Sequence, residues 1–493
     1  MDNLRPERER EFPPNYDSRE TSAELEKPLI SLVIPVCNEE RRIARCLDRV
    51  SKFKERSQVD LEVILAEDGS TDRTLEIAME FAERNPLIRV VTSSTRLGKG
   101  GGILNGVESS HGNIIVYMDV DLSTTPEQIP NLVEAIQEGY DVAIGSRLHP
   151  RSHVTGAPRH RVLLGRLFNA VVRLLFQVRY FDTQAGFKAF KREALTKILS
   201  YVNTDGFAFD VDLIVKAEKL GYRIKEIEIV WRYMHGSTVS PISQAWKMFL
   251  DVLRVRLELL SNGILRIGSP MAYKRFYDSI RGDVYWKAER SLFIPRRMWH
   301  KRRIDYMLAN LPKDLERIVD VGSGSGILVT KIASAHPQIH VVGIDLGNDF
   351  VRFSSLKAKQ LSLGNVDIIQ ADGSHLPVRG NTADAAIVSE VLEYVSNPIG
   401  LLTEVNGVLK SGGQLIVTTP FVSLRWAIIR FLWTRVRKDQ LESPHFPLNL
   451  SRLRYFLSKT GFRSVSSNLL NFGCMLTLTA TKTSPSTQTS LVG

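Results

Sequence analysis

The sequence predicts an α/β protein of two domains, each built on a mainly parallel, doubly wound sheet. Three observations carry the prediction. At 493 residues the chain exceeds what one ordinary core holds. From about residue 29, apolar strand-like runs alternate with helix-like segments. A second series of the same kind starts at "RIVDVGSGSGILVTKIA", after a basic and aromatic stretch that reads as a linker with leading helices. An apolar fraction of 43% and a charged fraction of 24% fit globular domains.

The elements of the first half follow in order. "LISLVIPV" is a strand and "NEERRIARCLDRVSKF" a helix; "DLEVILAED" precedes "STDRTLEIAMEFAERN"; "IRVVTSS" precedes "GKGGGILNGVESS"; "NIIVYMDVD" precedes "TPEQIPNLVEAIQE"; "DVAIGSR" closes the run. In such sheets ligands sit beyond the carboxyl ends of the strands. The unusual residues fall on that edge: Asn38, Glu39 and Glu40, then Glu67 and Asp68, then "RLGKGGG", then Asp119 and Asp121. Alternation sends Asp119 and Asp121 to the same side of the strand end, where a hard divalent cation held against a diphosphate offsets their repulsion. The alternative is an acidic turn that caps the following helix. Lys99 and its flanking glycines let backbone approach a phosphate closely.

The segments "LVIPVCNEE", "AEDGSTDRT", "RLGKGGGILNG", "MDVDLSTTPEQIP", "GSR", "DTQAGFKAFKREAL" and "FAFDVDLIVKAEKLGYRIKEIEIVW" together resemble an inverting family 2 glycosyltransferase of GT-A fold. The nearest type is dolichyl-phosphate glucosyltransferase, with dolichyl-phosphate mannose synthase a near relative. The resemblance implies a nucleotide-diphosphate sugar donor and a polyprenyl or dolichyl phosphate acceptor. It places Pro35, Cys37, Glu39 and Asp68 at base or ribose, Asp119 and Asp121 on Mg²⁺ or Mn²⁺, and Arg147 at the diphosphate or acceptor phosphate. Cys37 stands where an aromatic residue is common, and Glu67 where the pair is often two aspartates. An ionised phosphate acceptor needs little help from a base, so Asp182 and Asp210 are candidates for acceptor positioning or base action, or else helix caps.

In the second half, "RIVDVGSGSGILVTKIA" is a strand, a glycine-rich turn and a helix, and "HVVGIDL" a strand ending in acid. Glycines permit the tight turn, and a carboxylate ending the next strand can take both ribose hydroxyls. With "QADGSHLP" and "GVLKSGGQLIVTTP", these features resemble a class I S-adenosylmethionine-dependent methyltransferase. Nicotinamide dinucleotide binding is the competing reading, disfavoured by "GVLKSGG". The resemblance places Asp320, Gly322, Gly324 and Gly326 around methionine and ribose, Asp345 on the ribose, Asp372 by the adenine, and Ser389 with Glu390 below the sulfonium. His375, Glu390 and Glu393 are the available bases, with His375 expected in a packed loop.

The expected organisation is therefore two Rossmann-like domains. A lead over 1–28 precedes a GT-A domain over 29–268, a linker over 269–289, a methyltransferase domain over 290–483 and a tail over 484–493. The charged lead has no apolar core and does not read as a signal peptide. A net charge of +11 points to an acidic partner, and with no base-reading motif an anionic membrane face is expected rather than nucleic acid. No apolar run reaches the length needed to span a bilayer. Segments 159–181, 243–260 and 421–438 interleave apolar residues with Arg and Lys, and fit either core helices or helices lying on the cytoplasmic face of a membrane. The reading is a hexosyltransferase, with UDP-glucose favoured over GDP-mannose, joined to a domain that methylates the sugar or glycolipid or that only binds S-adenosylmethionine or a partner.

Overall fold

A computed structural model of the chain describes residues 29–93, 96–204, 206, 208–234, 241–262, 281–290, 294–395, 397–421, 423–436 and 448–483. The expected lead, the first part of the expected linker and the tail lie outside the described residues.

The first sheet begins with β1 (Ile30–Val36), whose apolar run is almost wholly buried, and α1 (Ile43–Arg56), whose Ile43, Cys46, Leu47, Val50 and Phe53 share the core-facing stripe. There follow β2 (Leu61–Glu67), α2 (Thr74–Arg84), β3 (Ile88–Thr92), α3 (Gly98–Glu108), β4 (Ile114–Met118), α4 (Ile129–Gln137), β5 (Val142–Ser146), β6 (His153–Thr155), α5 (Arg159–Phe176), β7 (Phe187–Lys191), α6 (Arg192–Leu199), α7 (Phe209–Lys219), β8 (Ile224–Glu228), β9 (Val230–Arg232) and α8 (Pro241–Asn262). The strand order is β3-β2-β1-β4-β7-β5-β8, and β6 pairs with β9 apart from it. The sequence did not announce β7. It runs antiparallel to β4 and β5, and its Lys188 is buried beside apolar Phe187 and Ala189, so "FKAFK" lacks the apolar run of its neighbours.

The second unit comprises α9 (Val284–Glu289), α10 (Ile294–Ala309), β10 (Arg317–Val321), α11 (Ile327–Ala335), β11 (His340–Asp345), α12 (Asn348–Gln360), β12 (Val366–Gln370), β13 (Ala383–Ser389), α13 (Pro398–Val408), β14 (Leu409–Pro420), α14 (Leu424–Val436), α15 (Leu450–Lys459), β15 (Phe462–Leu470) and β16 (Met475–Lys482). Its order is β12-β11-β10-β13-β14-β16-β15, with β16 antiparallel to both neighbours. Helix α9 stands in the described part of the expected linker.

The order in which strands are added reverses at β1, which lies parallel between β2 and β4, and at β10, which lies parallel between β11 and β13. A crevice opens at such a switch point, at the carboxyl ends of the strands. Apolar side chains cover both faces of each sheet. One cluster crosses the two units: Leu97 and Leu104 pack with α15 residues Leu453, Tyr455 and Phe456.

Candidate functional sites

At the first switch point β4 ends in Met118, and Asp119 enters the crevice, its amide bonded to the Gly186 carbonyl at 3.1 Å. Lys99, on the first turn of α3, bridges Asp119 Oδ1 at 3.1 Å and Asp210 Oδ2 at 2.9 Å. Asp210, on the first turn of α7, also receives buried Lys188 at 2.6 Å and the Tyr117 hydroxyl. The Lys188 and Lys99 ammonium groups outweigh its burial and hold its carboxyl down at about 2. Burial pushes Lys188 below the usual lysine range. Tyr117 and Lys188 were not among the expected site residues. Both lie inside quoted motifs, and only tertiary contact with Asp210 distinguishes them from core.

Arg147 follows β5. Its Nε and Nη2 form a two-point pair with Asp182 at 2.7 and 2.8 Å, and its backbone N donates to the same carboxylate at 2.9 Å. Asp182 is fully buried, yet the Arg147 guanidinium holds its carboxyl below the usual range. The guanidinium lies 5.8 Å from the Trp231 ring centroid. Asp119, Asp121, Arg147, Gly186 and Trp231 line one cleft. A Cβ on Gly186 would run into the Asp119 carboxylate, so glycine is what leaves that carboxylate its place.

Several expected ligand contacts are committed elsewhere. Both Asp68 oxygens accept from loop amides, from Leu97 and, at 2.8 Å, from Gly98, so Asp68 pins the glycine loop. Asp121 accepts from the Ser123 amide and hydroxyl at 2.8 and 2.9 Å, in part the capping turn posed as the alternative. Glu39 pairs with Arg42 at 3.2 Å, while Pro35 and Cys37 are partly exposed. Asp182 and Asp210 hold cations rather than standing free as bases. Among the described residues no group of three or more His, Cys, Asp or Glu is placed to hold a metal. Asp119 and Asp121 still fit a hard cation, because one or two carboxylates complete such a site when substrate phosphates supply the rest.

At the second switch point the β10–α11 turn places Gly322, Gly324 and Gly326 at φ +77°, +52° and +71°, a region that strains any side chain with a Cβ. Asp345 ends β11 and fastens this turn: Oδ2 accepts from Gly324 N at 2.7 Å and Oδ1 from Gly347 N at 2.9 Å. Asp320, near the end of β10, is 2% exposed, and its Oδ1 has no hydrogen-bond partner among the described residues. Burial, reinforced by the Asp345 charge, pushes its carboxyl up to about 7. Such an orphaned, fixed acceptor suits the donors of a bound cofactor. Tyr285, His300, Arg303, Asp320, Ser323 and Ser389 line the cleft. The segment before β10 roofs it: Trp286 Nε1 donates to the Ser325 carbonyl at 2.8 Å, and Ser325 Oγ to the Gly282 carbonyl at 2.5 Å.

The three residues offered as bases now separate. Glu390 is paired with Arg303 and accepts from Trp299 Nε1 at 2.9 Å. Glu393 is buried, which pushes it up to about 7, and takes the Thr419 hydroxyl at 3.2 Å. His375 is exposed rather than packed, in a turn closed by Asp372 and Ser374. Asp372 is likewise exposed and bonds Ser374. Arg303, Trp299 and Tyr285 were missed as site residues, because the basic stretch holding them reads as a linker with leading helices and carries no motif.

The helices read as membrane candidates also separate. α8 packs along α14, and Trp426 is 8% exposed and so covered, whereas Ile428 and Ile429 of α14 and Trp246 of α8 stay outward. The side chains of Arg430, Trp433, Arg435 and Arg437 lie outside the described residues. α5 differs: it buries Asn169, Val172 and Phe176 and exposes Leu163, Leu164, Leu167 and Leu174. No helix among the described residues is long and apolar enough to cross a membrane.

The fold and its two crevices define a two-domain α/β enzyme. The chain belongs to glycosyl transferase family 2, which it matches over residues 31–199, and it carries a methyltransferase domain matched over residues 319–417. It is 34% identical over 254 residues to dolichyl-phosphate beta-glucosyltransferase of Dictyostelium discoideum, covering 49% of this chain and 77% of that one. It is 32% identical over 205 residues to polyprenol monophosphomannose synthase of Mycolicibacterium smegmatis, covering 41% and 76%. With glycosyltransferase AglD of Haloferax volcanii it shares 35% identity over 233 residues, 47% of this chain but only 37% of that relative's length.

Proposed function

We propose that the first unit transfers a hexose from a nucleotide-diphosphate sugar to a polyprenyl phosphate, and that the second binds S-adenosylmethionine and methylates the sugar or glycolipid. The observation that carries this is the charge order at the β4 edge: Asp119, Lys99, Asp210 and the Arg147–Asp182 pair converge where β1 and β4 part. The names of the relatives support a lipid-phosphate acceptor and favour glucose over mannose.

Asp119 and Asp121 would hold Mg²⁺ or Mn²⁺, which supplies positive charge for the departing diphosphate. Arg147, clamped by Asp182, presents a fixed guanidinium to phosphate oxygens rather than a mobile charge. Asp210, held near 2, is too weak a base to take a proton near neutrality; its part is to keep Lys99 and Lys188 in place. The acceptor phosphate oxygen, already ionised, forms the bond to the anomeric carbon as the diphosphate leaves from the opposite face. In the second unit Asp345 and the three glycines shape the cofactor cleft, and Asp320 offers it an acceptor.

A polyprenyl chain cannot leave the bilayer cheaply, at about 0.8 kcal/mol per methylene, so the enzyme goes to the membrane. The outward leucines of α5 are the surface for this contact. Between Asp141 and Asp182 the sequence has no acidic residue, and Arg159, Arg166 and Arg173 flank the leucines, as anionic lipid requires.

The test is to incubate membranes containing the protein with labelled UDP-glucose or GDP-mannose, with and without chelator, and to identify the lipid product by mass. A chelator-sensitive hexosyl phospholipid is expected from UDP-glucose. A mannosyl product would move the donor to the guanosine series, and no lipid-linked sugar from any donor would overturn the proposal.

A further inference from the structure

We infer that helix α15 of the methyltransferase unit is a working part of the glycosyl-transfer site, with Arg452 and Asn449 as positioning residues for the Lys99–Asp210 pair. The inference rests on the proposed function for what that pair binds, but its geometry stands independently.

α6 ends at Leu199, and the last carbonyls of any helix lack partners within it. Here the carbonyls of Thr196, Lys197, Ile198 and Leu199 are met by the following turn, and the other unit adds a charged donor to that turn. Arg452 Nη1 donates to the carbonyls of Leu199, Ser200 and Val202 at 3.5, 3.1 and 3.4 Å. Asn449 does two things: its Oδ1 caps α15 through Arg452 N at 2.7 Å, and its Nδ2 donates to the Asn203 carbonyl at 3.1 Å. The same carbonyl receives Arg254 Nη2 at 2.8 Å, while Asn203 N and Thr204 Oγ1 donate to Asp212 at 2.9 and 3.0 Å. The chain from Leu199 to Thr204 is thus fixed at its start by α15 and at its end by α7.

That fixed chain presses on α3. A Cβ on Gly100 would lie 3.0 Å from the Thr204 carbonyl oxygen and 2.6 Å from the Phe209 ring. Lys99 precedes Gly100 and Asp210 follows Phe209, so this glycine contact sets the two elements whose side chains meet at 2.9 Å. α15 also grips α3 directly. The Tyr455 hydroxyl bonds Glu108 at its far end, and Leu97 and Leu104 sit in the apolar cluster that holds Leu453 and Phe456. Burial raises the Glu108 carboxyl, against the lowering pull of Lys459 and Arg452. The helix bearing Lys99 is therefore seated between its own sheet and the methyltransferase unit, and the second domain is more than a tethered neighbour.

The experiment uses the full chain and compares wild type with Arg452→Ala, Arg452→Lys and Tyr455→Phe, each checked for an unchanged thermal transition of the β10–β16 unit. Hydrogen exchange is read over residues 98–108 and 208–219, and donor KM and kcat are measured with UDP-glucose and Mn²⁺. Losing hydrogen bonds between a charged donor and carbonyls predicts about tenfold faster exchange in Arg452→Ala, with donor KM raised about as much and kcat nearly unchanged. Arg452→Lys should recover part of both effects, because one ammonium can still reach a carbonyl. Exchange and KM at wild-type values in both Arg452→Ala and Tyr455→Phe would overturn the inference. Faster exchange in a protein whose wild type transfers no sugar would uphold the positioning role and overturn the proposed function instead.

Discussion

The two crevices handle buried charge in opposite ways. At the β4 edge three of the four carboxylates face a cation, Asp121 being the exception: Asp119 and Asp210 share Lys99, Asp210 also holds Lys188, and Asp182 holds Arg147. At the β10 edge Asp320 is buried with an orphaned oxygen, Glu393 also has an oxygen buried without a partner among the described residues, and both carboxyls rise to about 7. A paired network keeps its charges in every state, and so offers a diphosphate fixed cations. An acid left underpaired is costly alone and is relieved by a positively charged ligand. In the proposed function the fixed Arg147 guanidinium, with the cation that Asp119 and Asp121 would hold, faces the diphosphate of the donor, and the underpaired acids of the second crevice face the sulfonium.

The largest effect should come from Asp119→Asn. Removing a carboxylate that would hold the cation should cut sugar transfer by about 10³-fold, with S-adenosylmethionine affinity unchanged. Calorimetric binding and a lipid-product assay on the same preparation check both halves. Loss of both functions together would break the separation of the sites. The converse is Asp345→Asn, which weakens the Gly324 and Gly347 anchors: charged hydrogen bonds of about 1.5–3 kcal/mol predict cofactor binding weaker by about 10- to 100-fold, with sugar transfer kept.

The location of both crevices was legible from sequence, because strand ends are local. "MDVD", "GSGSG" and "GID" announce themselves by apolar runs that stop in acid or glycine, and the two mainly parallel sheets and their strand-end crevices followed. What was hidden is what depends on distant partners. Nothing in "EDGS" shows that Asp68 spends its carboxylate on the amides of Leu97 and Gly98. Nothing in "FKAFK" shows that Lys188 is buried against Asp210. Helical periodicity could not tell α5, whose leucines face outward, from α14, whose Trp426 is covered. The basic stretch before β10 reads only as a linker with leading helices, since its role comes from folding back over the glycine turn.

A smaller effect tests the surface beside the first crevice. Replacing Leu163, Leu167 and Leu174 together by Ser removes outward apolar area without touching the buried Val172 and Phe176. At about 25 cal/mol per Å² of partly immersed side chain, partition onto anionic vesicles should fall about tenfold. Flotation at low salt measures it. The Trp426→Ser variant should affect stability rather than flotation, since that side chain is covered.

The smallest effect is the pH response, where the two crevices should bend in opposite directions. Asp210 has a folded value of about 2, below its ordinary 3.8, so it stabilises the first unit above about pH 4, and that stability is lost as pH falls toward 2. Asp320 has a folded value of about 7, above its ordinary 3.8, so the folded second unit binds the extra proton. Its stability without ligand is therefore greatest below about pH 4 and declines as pH rises to about 7, beyond which it levels. A cationic cofactor prefers the ionised carboxylate, so binding should release protons and tighten as pH rises through about 7, severalfold between about pH 6 and 8. Calorimetry in buffers of different ionisation enthalpy counts the protons, and Asp320→Asn should flatten both the affinity profile and the decline in stability. Affinity that stays level across that range in the wild type, with no proton release, would mean that Asp320 does not face the cofactor's charge, and the contrast between the two crevices would then rest on Glu393 alone.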